Sequence, residues 1–243
     1  MRLPRSHVDL SLNAGERVAL PERTARHLIK VLRLREGAPL LLFNGRDGRD
    51  YRARLVRLHK ERAEAEILEA GEPEPPPRLA LHLALGIPRG ERMDFALQKA
   101  VELGVASLQP LFTERTLVRM EGKRLERRIA HWKGVVISAC EQSGRRYLPP
   151  LHPPSRLAPW LERAEPPVLL LDPGARSSLP DQPPPTGRLG LLIGPEGGLS
   201  DKERRLAYAA GCRGVRLGPR ILRAETAPLA ALAAAQALWG DFR

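Results

Sequence analysis

Three short stretches hold the groups best suited to binding or reacting with a small molecule. Gly194-Pro195-Glu196-Gly197-Gly198 places three glycines in five residues directly after the apolar run Leu189–Ile193. Gly218-Pro219-Arg220-Ile221-Leu222-Arg223 follows the short apolar stretch Gly214–Leu217, and Asp172-Pro173-Gly174 follows Val168–Leu171. Each reads as a loop at the carboxyl end of a strand, which is where open α/β sheets bind ligands. Glu196, Arg223 and Glu225 are the charged candidates for handling a proton or a developing charge. No metal site is expected. Cys140 and Cys212 stand alone, with no CxxC and no clustered histidines, and read as small buried hydrophobes.

Three chemistries compete for these loops. Phosphate binding at Gly197-Gly198 and the helix behind it would suit a nucleotide enzyme. Yet no Walker lysine follows, and no GxGxxG opens the helix. Hydrolysis through Ser200 lacks the GxSxG setting of a nucleophile elbow, and helix capping already explains that serine. Capture of a cofactor by backbone amides and carbonyls suits an adenine and a methionine moiety, and it alone explains both glycine loops together.

The elements that must hold these loops are legible in the same stretch. Ser200 with Glu203 three residues on is a capping box, so a helix starts there and Gly211 ends it. Thr226 is expected to cap a last helix of alanine and leucine. Upstream, Leu79–Leu85 and Ser107–Phe112 are apolar strands around an amphipathic Glu91–Leu103, a βαβ unit. Residues 123–140 have helical spacing, with Leu125, Ile129, Trp132, Val136 and Ile137 inward. One α/β domain therefore runs over residues 73–243, after the proline-rich linker Gly71–Pro77.

Residues 1–72 differ. Tyr51, Ala53 and Leu55, then Ala63, Ala65 and Ile67, alternate with charged residues after the turn Asn44–Gly48, which predicts half-buried antiparallel strands. Glu22–Leu32 is predicted helical, with Ala25, Leu28, Ile29 and Leu32 on one face. A small β-rich barrel with one helix is the expected form.

The net charge of +12 and pI near 10.7 favour a polyanionic partner. Arginine supplies 34 of the 40 basic residues, which fits RNA, since guanidinium pairs with phosphate and stacks on bases. The same bias fits a GC-rich genome, and the scarcity of Asn and Cys hints at a thermophile. Residues 115–146 are the most basic window, at net +6. There Arg124, Arg127, Arg128, Arg145 and Arg146 read as free to meet phosphate, with a solvated helix face as the competing reading. No apolar run approaches a membrane span, and the N-terminus lacks a signal-peptide core, so a cytoplasmic protein without membrane or metal is expected.

The pair LLIGPEGGLSDKE and RLGPRILRAETA resembles the SPOUT class of RNA methyltransferases, and within it the RsmE family, which methylates N3 of a uridine in small-subunit (16S) ribosomal RNA. Gln98–Val105, Glu141–Arg145 and His27–Arg33 extend the likeness over nearly the whole chain. The resemblance implies a SPOUT α/β domain with a trefoil knot behind a PUA-like, RNA-binding β-barrel. It implies S-adenosyl-L-methionine as cofactor, in a cleft made by Leu171, Asp172 and Pro173, by Ile193, Gly194, Pro195, Gly197 and Gly198, and by Leu217, Gly218, Ile221 and Leu222. It also implies RNA contact through Arg26, His27 and Arg33 besides the arginines above, and a homodimer joined through the last helix. Ala224 stands where the family often has Thr or Ser. ILRAETA stands where the ribose-methylating relatives have a sequence like SLNVS, which favours a base over a ribose target. The rival functions are a methyltransferase for a ribose 2′-hydroxyl or for tRNA, and a non-catalytic ribosome-assembly factor.

Overall fold

The structure, a computed structural model, describes residues 3–117, 121–165 and 167–242. The chain forms two compact units, Met1–Pro76 with Cys140–Leu148, and Pro77–Ala139 with Pro149–Arg243.

In the first unit, strands β1 (Arg5–His7), β2 (Arg17–Ala19), β3 (Pro39–Phe43), β4 (Tyr51–His59) and β5 (Arg62–Ala70) form one sheet in the order β1-β3-β4-β5-β2. β1 runs parallel to β3, and the other ladders are antiparallel. The period of two is realised. Tyr51, Ala53, Leu55, Ala63, Ala65 and Ile67 are all buried in one core with Leu28, Leu40 and Leu42. The Asn44 turn is held by its own side chain, whose Oδ1 accepts from the Arg46 and Asp47 amides.

The predicted helix differs from expectation. α1 covers only Glu22–Arg26 and passes into a π-helical turn, His27–Val31, closed by the Leu32 amide donating to the His27 carbonyl. The wider turn spoils the 3.6-residue spacing, so Ala25 and Leu28 are buried while Leu32 is 41% exposed. Arg33 then takes a left-handed φ of 53°.

Arg5 ties the returning segment into this unit. Its side chain is 5% exposed, with Nε 2.8 Å from Asp50 Oδ1. Nη1 donates to the Cys140 carbonyl at 2.5 Å and Nη2 to the Arg145 carbonyl at 2.7 Å. The guanidinium lies 3.9 Å over the Phe43 ring. Beside it, the His7 amide donates to Glu141 Oε1.

In the second unit β6 (Ala80–Gly86), β7 (Val105–Phe112), β8 (Ser155–Arg156), β9 (Val168–Leu171), β10 (Arg188–Ile193) and β11 (Arg213–Val215) form a six-stranded sheet ordered β11-β9-β10-β6-β7-β8, every pair parallel. Its helices are α2 (Arg92–Glu102), α3 (Gly122–Ser143, whose last residues belong to the first unit), α4 (Leu157–Leu161), α5 (Asp201–Ala209) and α6 (Thr226–Trp239). The chain runs outward from β6 to β8, then crosses to the other side for β9, so strand order reverses beside β6.

Local signals explain the boundaries. Ser200 caps α5 with both halves of the capping box formed, and Gly211 ends it at a φ of +86°. In α3, Trp132, Val136 and Ala139 are buried, while Leu125, Ile129 and Ile137 are half-buried. Thr226 does not cap α6. Glu225 occupies the N-cap without a side-chain cap bond, because the Thr226 and Ala227 amides already donate to the Arg223 carbonyl.

Candidate active site

A cavity of about 690 Å³ opens at the carboxyl ends of β9, β10 and β11, a size suited to a small-molecule ligand. All three predicted loops line it: Leu171–Pro173, then Ile193–Gly198 with Glu196, then Leu217, Gly218, Ile221, Leu222 and Arg223. Glu225 adjoins it through Arg92, whose Nε lies 3.7 Å from Glu225 Oε2.

The glycines shape this floor for separate reasons. A Cβ on Gly194 would sit 2.8 Å from the Gly198 carbonyl carbon and the Leu199 nitrogen, so the loop closes on itself only without a side chain. Gly198 has a φ of +66° and Gly218 a φ of +71°, in the left-handed region. Gly86, at the end of β6, leaves room for Pro195 to pack on it.

Charged side chains brace the loops, and Arg92, Arg115, Asp172 and Glu196 among them also line the cavity. Glu196 Oε1 accepts from the Arg89 amide at 2.8 Å and from Arg92 Nη1 at 2.7 Å. Burial pushes the Glu196 carboxyl up, but hydrogen bonds from the Arg89 and Glu196 amides and from Arg92 outweigh it, and the group lies below its usual range. Glu196 is thus a held carboxylate and a weak base. Glu225 Oε2 is buried with no hydrogen-bond partner, and Arg92 is its ion-pair neighbour. Arg115 Nη1 donates to the Gly197 carbonyl at 2.6 Å. Tyr208 donates to Asp172 Oδ2 at 2.8 Å, and its hydroxyl is pushed up to about 12 by burial first, then by that hydrogen bond and the carboxylate's charge. Glu203, buried, accepts from the Glu114 amide as well as completing its capping box. Arg223 lines the cavity with no side-chain hydrogen bond or ion pair among the described residues.

The predicted RNA residues fall in both units. Arg124, Arg127 and Arg128 lie on α3, with Arg128 5.9 Å over the Trp132 ring. Arg119 of the basic window is outside the described residues. In the first unit Arg26 is paired with Glu22 and Glu61, and His27 and Arg33 are exposed. Arg146 is not free: its Nη1 donates to the Glu72 carbonyl, its Nε lies 3.5 Å from Asp50, and its amide donates to Glu74. Arg145 is likewise engaged, its carbonyl accepting from Arg5. Among the described residues, no group of three His, Cys, Asp or Glu is placed to hold a metal, and no helix is long and apolar enough to cross a membrane.

Sequence reasoning missed Arg92, Arg115 and Tyr208. Each reaches its partner across a long separation, so no spacing signals it.

The comparisons with known proteins give this arrangement its class, an RNA methyltransferase. A family model described as an RNA methyltransferase domain matches residues 74–236, and one described as an RNA methyltransferase PUA domain matches residues 20–68. Over 242 residues the chain is 31% identical to Ribosomal RNA small subunit methyltransferase E of Buchnera aphidicola subsp. Schizaphis graminum, covering 99% of this chain and 98% of that protein. It is 36% identical over 228 residues to the protein of that name from Synechocystis, covering 91% and 73%. The crystal structure of a Ribosomal RNA small subunit methyltransferase E from Neisseria gonorrhoeae bound to S-adenosyl methionine superposes with a TM-score of 0.92 at 43% identity, covering 100% of both chains. A putative methyltransferase from Legionella pneumophila, solved with the bound cofactor SAM, gives 0.95 at 37% identity, again over 100% of both. The chain belongs to the ribosomal RNA small subunit methyltransferase E family.

Proposed function

We propose that the protein uses S-adenosylmethionine to methylate N3 of a uridine in small-subunit (16S) ribosomal RNA. The observation that carries this reading is the convergence of three strand-end loops on one cavity whose floor is backbone laid bare by glycine. The residues fit the cofactor. Gly194 and Gly198 make a cradle that a Cβ or a right-handed backbone would spoil. Leu171, Ile193, Leu217 and Leu222 line the cavity as apolar walls, and the backbone of Ile193, Leu217 and Leu222 is proposed to read the adenine edge. When bound, S-adenosylmethionine supplies a methyl already activated on a sulfonium.

The chain's own task is then to hold the uridine nitrogen in line and to manage its proton. Arg223 faces the cavity uncommitted and stabilises the uridine anion that N3 deprotonation leaves. Glu196, kept ionised, orders the second loop against Arg92 and the Arg89 amide. Glu225 shares Arg92 and sets the entry to α6, and its buried Oε2, 3.7 Å from Arg92 Nε and accepting no hydrogen bond, is proposed as the base. The three loops are proposed to cross as a trefoil knot. α6 is apolar all round, with Leu229, Ala233 and Leu238 only half-buried, as a helix shared with a second copy in a homodimer requires. Arg124, Arg127 and Arg128 are proposed to meet rRNA phosphates, in the cytoplasm where small subunits are assembled.

Nucleoside mass analysis of ribosomal RNA from cells with and without the protein tests this reading. Loss of 3-methyluridine is expected. Loss of a 2′-O-methyl nucleoside, or a change confined to tRNA, would sink the uridine assignment. Failure of the purified protein to bind S-adenosylhomocysteine by calorimetry would leave only an assembly factor.

A further inference from the structure

A second cavity, of about 740 Å³, lies at the opposite end of the same sheet. One sheet face is divided in two. Its carboxyl half presents Ala84, Leu111, Leu170 and Leu192, buried beneath Leu157 and Leu161 of α4 and Ala207 of α5. On the same face, two residues earlier along each strand, stand His82, Gln109, Val168 and Gly190, with Ser107 and Arg188 a further step back; Val168 alone among these is a large apolar side chain. A parallel sheet normally buries both faces under helices. Here His82 is the one exposed position in β6.

The open half is built. His82, Ser107 and Gly190 are cross-strand neighbours, and His82 Nδ1 is 2.7 Å from Ser107 Oγ. A Cβ on Gly190 would press on Val168 at 3.0 Å, so glycine keeps the floor low beside the histidine. The Gln109 amide donates to the Pro153 carbonyl at 2.9 Å and fixes the proline loop that carries His152. Arg163 is oriented by Nε donating to the Pro159 carbonyl at 3.0 Å, and Arg188 pairs among the described residues with Glu165, whose side chain is 71% exposed. Trp160 supplies an aromatic wall. His82 titrates below its ordinary value because burial and the nearby positive charges of Arg188 and His152 disfavour its protonation, so the cleft holds positive charge that its single carboxylate leaves uncompensated.

We propose that this cleft is a second RNA contact, holding a single-stranded nucleotide with its phosphate on Arg163, Arg188 and His152 and its base against Trp160. Phosphate-binding cations beside an aromatic surface are what single-stranded RNA recognition needs. Along β10, Arg188 of this cleft and Ile193 of the methylation cavity are five residues apart, roughly 16–17 Å of strand. The contact would fix the strand flanking the target and so favour one nucleotide among many. The inference takes from the proposed function only the identity of the polymer.

The test is proton–carbon NMR of the histidine rings in the full-length protein, titrated with a single-stranded pentaribonucleotide and, separately, with inorganic phosphate. The pentaribonucleotide is expected to shift the His82 and His152 signals at sub-millimolar concentration, and inorganic phosphate to do so far more weakly. Arg163→Ala combined with Arg188→Ala is expected to weaken that binding at least tenfold and to flatten its salt dependence by about 1.4 in log–log slope, two single-strand phosphate contacts. Both arginines are surface groups, and an unchanged Trp160 indole signal and unfolding midpoint in the unliganded variant report that the cleft is intact, while the His82 titration should rise because Arg188 no longer opposes its protonation. Binding of the pentaribonucleotide without movement of either signal would overturn the proposal. Equal shifts from inorganic phosphate would overturn the RNA assignment in favour of a free-phosphate site. Neither readout needs the cofactor, so methylation found at another nucleoside would count against the proposed function alone.

Discussion

Alanine replacements of the three glycines in Gly194–Gly198 should rank in an order the geometry dictates. At position 194 the new Cβ meets backbone, the Gly198 carbonyl carbon and the Leu199 nitrogen at 2.8 Å, and must open to about 3.4 Å for ordinary contact. Backbone atoms move only by reshaping the whole loop, and overpacking of this kind costs ~1–3 kcal/mol. If the loop relieves the clash by leaving the shape the cofactor needs, binding must restore that shape, and affinity falls roughly 5- to 150-fold. At position 198 the added group finds open space, but the φ of +66° disfavours any L side chain by about 1–2 kcal/mol. Part of this, ~0.4–1 kcal/mol, returns through a less flexible unfolded chain. At position 197 the neighbours are Arg115 side-chain carbons at 3.2 and 3.3 Å, which give way by tenths of an ångström. Calorimetry with S-adenosylhomocysteine, with thermal unfolding alongside, should therefore rank the losses 194, 198, 197. A Gly194→Ala protein that binds like wild type, or a Gly197→Ala protein that is the worst of the three, would refute the reasoning.

Other perturbations follow from the braces. Glu196 is held below its ordinary value of 4.5, so its contribution to stability is complete above about pH 5 and is lost as the pH falls through 4.5 and lower. The gap in unfolding free energy between wild type and Glu196→Gln should be constant near neutrality and close in acid; a gap that widens in acid would contradict the ion pair with Arg92. Tyr208 should ionise near pH 12 by ultraviolet titration, and Asp172→Asn should bring it back toward 10. An unmoved titration would mean that burial alone sets it. Arg127→Ala with Arg128→Ala should weaken rRNA binding and reduce its salt slope by about 1.4–1.8, measured by filter binding across salt concentrations. An unchanged slope would return both to a solvated helix face.

Strand and helix assignments were readable wherever one physical rule dominated. The alternation through Tyr51–Ile67 and the apolar run Leu189–Ile193 report burial directly, and the Ser200–Glu203 box marks α5 to the residue. The glycine loops were readable because backbone-lined cavities need residues without side chains. What failed to show were choices settled by partners distant in the chain. Arg92 meets Glu196 across 104 residues and Arg115 meets Gly197 across 82. Thr226 looked like a cap by type, yet the Arg223 carbonyl had already taken its role. The π turn after Arg26 hides in a segment with ordinary helical composition. The membership of Cys140–Leu148 in the first unit hides too, since it depends on where Arg5 sends its donors.

That guanidinium also constrains how the protein can be made. Synthesis delivers Arg5 almost at once, while the carbonyls of Cys140 and Arg145 emerge some 135 to 140 residues later. Until then the nascent amino-terminal sheet holds a cation with nothing to receive two of its nitrogens, so its completion waits on the ribosome having passed residue 148. A gene fragment stopping at Pro76 would reproduce that unfinished intermediate, whereas grafting residues 140–148 back through a short tether would supply the missing acceptors.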